Sequence, residues 1–168
     1  MMSVRARVVG VILRWLAVER GRGDQPFSRL SLRCWPWDCD VFRHMNNARY
    51  LSIMDLGRWH FILATGLWRE FKAHHALPVA ARVEIDFRRS IKPFESFILE
   101  TRQRKVGTKS VVVSQTFLVD GQIAAVGLVT LAFLTRGRAV EVAPVLAALP
   151  HLVDSEIDEL RTESAAAG

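Results

Sequence analysis

At 168 residues, half of them apolar and 24% charged, the chain has the size and composition of a single globular domain. Its formal net charge of +6 would attract nucleic acid, an anionic membrane or a phosphate-bearing ligand alike. No Walker loop, zinc-finger or RNA-recognition signature is present, which argues against nucleic acid as a partner. The two cysteines, Cys34 and Cys39, form no disulfide framework and lack the two-residue spacing of a zinc or redox pair. Reduced thiols and a cytoplasmic setting are expected from them.

The chain opens with Arg5 and Arg7, then residues 8–18, apolar apart from Gly10 and Arg14. That run is too short to span a bilayer, and Arg14 interrupts it as a secretion signal. As a helix it puts Val8, Val11, Ile12, Trp15 and Leu16 on one face, suited to a partner surface or a peripheral membrane contact. Residues 22–26 read as a linker, so 1–26 precede a domain over 27–140 and a helical tail over 141–168.

A first strand is expected over 30–35, ending at Pro36, followed by an irregular loop over 37–47. A long helix then starts at Asn46 or Asn47, either a favoured N-cap. Tyr50, Met54, Gly57, Phe61 and Ala64 follow at spacings of four and three, and Gly66 stands where a glycine stop belongs. Leu51, Ile53, Leu56, Ile62 and Leu63 lie off that stripe, so the helix should be wrapped on several sides. From 81 to 135 the pattern is strand. Arg82, Glu84, Asp86 and Arg88 alternate with Val83, Ile85 and Phe87, and Val111, Val113, Gln115 and Phe117 share a side. Asp120-Gly121 predicts a two-residue hairpin. Residues 123–134 are nearly all apolar, as for a strand covered on both faces. Residues 154–163 are acidic and read as a surface helix. The order is strand, long buried helix, then four antiparallel strands: an α+β domain with one sheet curled around one helix.

Asp38, Asp40, His44, Asn46, Asn47 and Tyr50 spell Asp-x-Asp, a short loop, His-x-Asn-Asn, two residues and Tyr. This pattern resembles the 4-hydroxybenzoyl-CoA thioesterase family of hot-dog proteins, within it the branch resembling thioesterase superfamily member six. Ile85, Phe87, Gly107, Ser110 and Gly121 continue the likeness. Arg43 stands where the family often has glycine, and Asp55 where it usually has glutamate. The resemblance implies a hot-dog fold, an acyl-CoA substrate, no metal or organic cofactor, and a homodimer or dimer of dimers with its site between subunits.

Thioester hydrolysis needs a carboxylate that attacks the carbonyl or activates water, and donors for the developing oxyanion. A loop entering a helix N-terminus supplies both. The resemblance makes Asp40 that carboxylate, whereas Asp38 is expected to be structural. His44 is a candidate for orienting the carbonyl or moving a proton. Of Asn46 and Asn47, one caps the helix and the other bonds in the site; spacing leaves the assignment open. Asn47 joins the catalytic candidates, and Asn46, Tyr50, Lys109 and Ser110 the substrate-binding ones. Tyr50 also suits helix packing, and Asp55–Arg58 a surface pair. Some of Arg88, Arg89, Lys92, Arg102, Arg104, Lys105 and Lys109 should meet CoA phosphates. The rival reading is a non-catalytic acyl-thioester or lipid-binding protein of the same fold.

Overall fold

A computed structural model describes residues 25–153; the segments at 8–18 and 154–163 lie outside the described residues. Strand β1 (Phe27–Arg33) leads through a 3-10 turn (Pro36–Asp38) into α1 (Asn47–Ala64) and α2 (Leu67–Ala73). Then come β2 (Leu77–Phe87), β3 (Ser96–Val106), β4 (Ser110–Val119), β5 (Gln122–Thr135) and the short β6 (Arg138–Ala139). Two one-turn helices, α3 (Ala143–Leu146) and α4 (Pro150–Val153), follow. The strands form one antiparallel sheet in the order β1-β3-β4-β5-β2, with β6 on β5.

The helix start resolves the two asparagines. Asn46 is extended, and its side-chain oxygen accepts the Ala48 N–H at 2.9 Å, so it is the cap and Asn47 is the first helical residue. At the other end Gly66 has φ +83°, a left-handed conformation that suits glycine, and it ends α1 as expected. It also serves as the N-cap of α2, a helix the sequence pattern did not signal.

The sheet wraps α1 because the helix is apolar around most of its circumference. Tyr50, Ile53, Met54, Leu56, Gly57, Phe61, Ile62 and Leu63 are all buried, but Leu51 stays 47% exposed. Contact is close at Gly57, where an added Cβ would lie 2.4 Å from Leu99 Cδ2 and 2.7 Å from Gln115 Nε2. Gln115, fully buried on the inner face of β4, donates to the Met54 carbonyl at 2.8 Å and to Thr101 Oγ1 at 3.1 Å. A polar side chain thus ties the helix backbone to the sheet, with its hydrogen-bonding capacity satisfied.

Val111, Val113 and Phe117 face inward with Gln115, as the alternation predicts. Asp120 and Gly121 both have positive φ, the paired left-handed conformation of a tight hairpin turn. Strand β5 departs from expectation: Val129, Leu131 and Phe133 are buried, while Leu128 is 42% exposed on the opposite face. Among the described residues α1 covers only the concave face, so the outer apolar residues rely on their strand neighbours. Past the sheet, Val142, Val145, Leu146, Leu149 and Leu152 enter the same core, so the segment read as a tail packs its apolar residues there.

Candidate active site

The loop from β1 to α1 is held by its own carboxylates. Asp38 Oδ2 accepts the Trp35 N–H at 3.1 Å, Oδ1 faces Arg49 Nε at 3.5 Å, and its carbonyl accepts the Asn46 N–H. Buried to 1% exposure, Asp38 is the brace expected of it. Asp40 is differently placed. Its N–H donates to the His44 carbonyl at 2.9 Å, and its Oδ1 accepts the Phe42 N–H at 2.9 Å and the His44 N–H at 3.5 Å. This is an Asx-turn. One oxygen anchors the loop, and among the described residues Oδ2 makes no protein hydrogen bond. Arg43, at the position where the family resemblance leads one to expect glycine, has φ +60°. The loop keeps the glycine-type conformation and accepts the strain of a side chain there.

Beyond the loop, the Met45 N–H donates to the Ile91 carbonyl at 2.8 Å, which docks the loop against the chain following β2. The result is an open cleft of about 260 Å³ lined by Asp40, His44, Met45, Asn47 and Tyr50 on one side and Phe87, Arg88, Arg89 and Ser90 on the other. Four predicted residues, Asp40, His44, Asn47 and Tyr50, therefore meet. Asn46 does not line the cleft, because its side chain is committed to the cap. Lys109 and Ser110 sit at the β3–β4 turn, whereas Phe117, near the far end of β4, packs on Tyr50 with ring centroids 4.9 Å apart. Within one chain they are roughly 20–25 Å from the cleft along the strand.

Tyr50 is packing as much as lining. It is buried between Phe87, edge-on at 5.0 Å, and Phe117. Burial pushes its phenol up to about 12, so it stays neutral at working pH; a hydrogen bond with the Ile91 backbone acts in the opposite sense. The cleft's positive side was half legible. Arg88 and Arg89 stood among the candidate phosphate ligands, but nothing singled them out from five other basic residues. They follow the last alternating residue of β2, where the strand ends beside the Asp40 loop. Arg88 pairs with Asp86 at 3.0 Å and Arg89 with Glu95 at 3.1 Å. The N-terminal end of α1 adds favourable potential, because the Asn47 N–H at the first helical position has no intrahelical acceptor.

Asp55 lies elsewhere, in a second cleft of about 260 Å³ with Arg58, Trp59, Pro78 and Val79. The expected Asp55–Arg58 pair forms at 2.9 Å, with Asp55 46% exposed and Arg58 turned inward. Arg58 is largely buried and also donates to Gln115 Oε1 at 3.2 Å; burial lowers its pKa, and Asp55 opposes that shift. A larger, shallow groove of about 610 Å³ runs past Leu32, Arg33, Phe97, Leu118 and Asp120. It lacks a helix N-terminus facing a carboxylate, so size does not make it the site.

A curled antiparallel sheet around one long helix, with a carboxylate loop at that helix's N-terminus, defines a hot-dog protein. The chain belongs to the thioesterase-like superfamily, whose family model matches residues 34–149. It is 34% identical to Protein THEM6 of Drosophila melanogaster over 98 residues, which cover 56% of this chain and 51% of the relative. It is 28% identical to the long-chain acyl-CoA thioesterase FadM of Escherichia coli over 93 residues, 54% of this chain and 70% of that one. The chain thus spans about half the length of the THEM6 relative. Among solved structures, the YbaW probable thioesterase of Escherichia coli superposes with a TM-score of 0.69 at 22% identity, covering 74% of this chain and 98% of that one.

Proposed function

We propose that this chain hydrolyses acyl-CoA thioesters to free acid and CoA, with Asp40 as the reacting carboxylate. The observation that carries the reading is the convergence, in one cleft, of Asp40, the helix N-terminus at Asn47 and the arginines Arg88 and Arg89. With the thioester carbonyl near the Asn47 N–H, the unpaired donor and the helix end stabilise the oxyanion as it develops. Asp40 attacks the carbonyl carbon or deprotonates a water, and His44 at the cleft wall orients the carbonyl or returns a proton to the leaving thiolate. Arg88 and Arg89 stand where CoA phosphates would be drawn, since planar guanidinium groups suit phosphate oxygens. No step calls on a metal or organic cofactor.

The name of FadM supports an acyl-CoA substrate class. A homodimer or dimer of dimers is part of the same reading. Phe87 in the cleft, Phe42 in the loop that borders it and Val83 further along β2 are exposed at 44%, 77% and 37%, which suits a second copy covering this side. Lys109 and Ser110 would then act across the subunit boundary. The count and spacing of the two cysteines in the sequence favour a cytoplasmic setting. No helix among the described residues is long and apolar enough to cross a membrane. Peripheral contact through residues 1–26 remains a proposal from their sequence.

The test is thiol release from a panel of acyl-CoAs of graded chain length and aromatic character, read with a chromogenic thiol reagent. Turnover that requires Asp40 supports the hydrolase. Binding without turnover on every member of the panel would favour the acyl-thioester carrier instead, the reading in which the Asp40 carboxylate serves only its Asx-turn.

A further inference from the structure

The two cysteines, five positions apart in sequence, are brought together where β1 meets the site loop. Their sulfurs lie 3.5 Å apart, and both lean toward the Trp35 carbonyl, at 3.9 Å from Cys34 and 3.6 Å from Cys39. Their settings differ. Cys34 is fully buried at the end of β1, where its N–H donates to the Glu95 carbonyl at 2.9 Å and its own carbonyl accepts the Phe94 N–H at 2.7 Å. Cys39 is partly exposed in the loop; its N–H donates to the Pro36 carbonyl at 3.1 Å, and an isolated bridge pairs it with Met45. The next residue after Cys39 is Asp40.

We propose that Cys34 and Cys39 are a redox modification site, closing to an intrachain disulfide with a peroxide and so moving Asp40 off its working position. The chemistry has a natural order. Burial, reinforced by Cys39 and Asp38, pushes the Cys34 thiol up to about 12, so the more accessible Cys39 reacts first. Its sulfur attacks one peroxide oxygen, the O–O bond breaks, and Cys39 becomes a sulfenic acid as one water leaves. The Cys34 sulfur then attacks the Cys39 sulfur, and the hydroxide displaced takes the Cys34 proton and departs as a second water. Two thiols and one peroxide give one disulfide and two waters.

Closure must bring the sulfurs from 3.5 Å to about 2.05 Å. Strand and core fix Cys34, so the Cys39 side of the loop moves, and with it Asp40 and its bond to His44. A shift on the order of 1 Å at a reacting group lowers turnover by roughly 100-fold. This coupling rests on Asp40 being the reacting carboxylate; formation of the disulfide does not.

The experiment treats the full chain with hydrogen peroxide, then with dithiothreitol, and reads denatured thiol count, intact mass and acyl-CoA turnover. The chain has only two cysteines, so thiol titration reports this pair directly. Both thiols should disappear together with loss of two hydrogens and no crosslinked chains, turnover should fall at least about 10-fold, and reductant should restore all three. Cys39→Ser should keep its turnover under the same peroxide. A mass gain of oxygen with Cys34 still titratable would overturn the pair. A disulfide that leaves turnover unchanged would overturn the coupling to Asp40. If the reduced chain turns over no acyl-CoA, the hydrolase reading falls, and the thiol count still decides the disulfide.

Discussion

On the proposed mechanism Asp40 would carry two duties that a substitution can separate. Its Oδ1 holds the Asx-turn, and among the described residues Oδ2 makes no protein hydrogen bond. Asparagine keeps the turn acceptor but cannot act as nucleophile or base, so Asp40→Asn should lower turnover by about 100-fold or more. The urea midpoint should stay nearly unchanged. Full activity in Asp40→Asn would pass the role to another carboxylate, Asp55 first. Arg43 is the loop's strained residue at φ +60°. Arg43→Gly should fold and turn over as the parent does, whereas Arg43→Val, β-branched in a left-handed position, should cost about 1–2 kcal/mol in urea denaturation. The Tyr50 phenol gives a pH signature. Its pKa is near 12 folded against 10 unfolded, so the folded chain holds its proton longer. The stability this contributes is whole below about pH 10 and is lost as pH rises toward 12, by up to about 3 kcal/mol. In Tyr50→Phe the decline of urea midpoint across that window should flatten.

Gly57 decides how close α1 lies to the sheet. Alanine favours helix by about 1 kcal/mol over glycine, yet its methyl would fall within 2.4 Å of Leu99 and 2.7 Å of the Gln115 amide. Overpacking typically costs 1–3 kcal/mol. The Gln115 amide also holds the Met54 carbonyl, so it cannot give way freely. Gly57→Ala should therefore be net destabilising by about 1–2 kcal/mol, read as a lower melting temperature. A stabilised variant would mean that the helix rides higher on the sheet than these contacts require.

An edge strand of eleven residues closes the sheet at β2, and most of its side chains are exposed. Long unprotected edges are normally paired or covered, and β2 bears apolar residues on the concave side that α1 leaves open. We expect the full chain to sediment at two or four times its 19.0 kDa, and Val83→Lys to shift it toward the monomer. A monomeric mass for the parent at micromolar concentration would count against both the dimer and a cleft completed by a second copy.

The local pattern along the chain was enough to place α1 within a residue of its start, the Asp120-Gly121 turn, and the inward side of β4. Caps, turns and period-two alternation depend on neighbours a few residues apart. The motif around Asp40 was legible for the same reason, being one short loop whose hydrogen bonds close on themselves. Tertiary structure alone decided the rest. It set Arg88 and Arg89 opposite Asp40, because the docking of Met45 on Ile91 and of Tyr50 on Phe87 joins a loop near residue 40 to a strand end near residue 88. It turned Arg58 inward onto Gln115, so that one member of a helical i, i+3 pair also bonds in the interior while Asp55 stays exposed. It left Leu128 partly bare, since hydropathy reports a residue's preference and not whether a second layer exists to satisfy it. It also brought together two cysteines whose spacing matches no ligand motif, because the proximity of Cys34 and Cys39 comes from how the chain turns between β1 and α1.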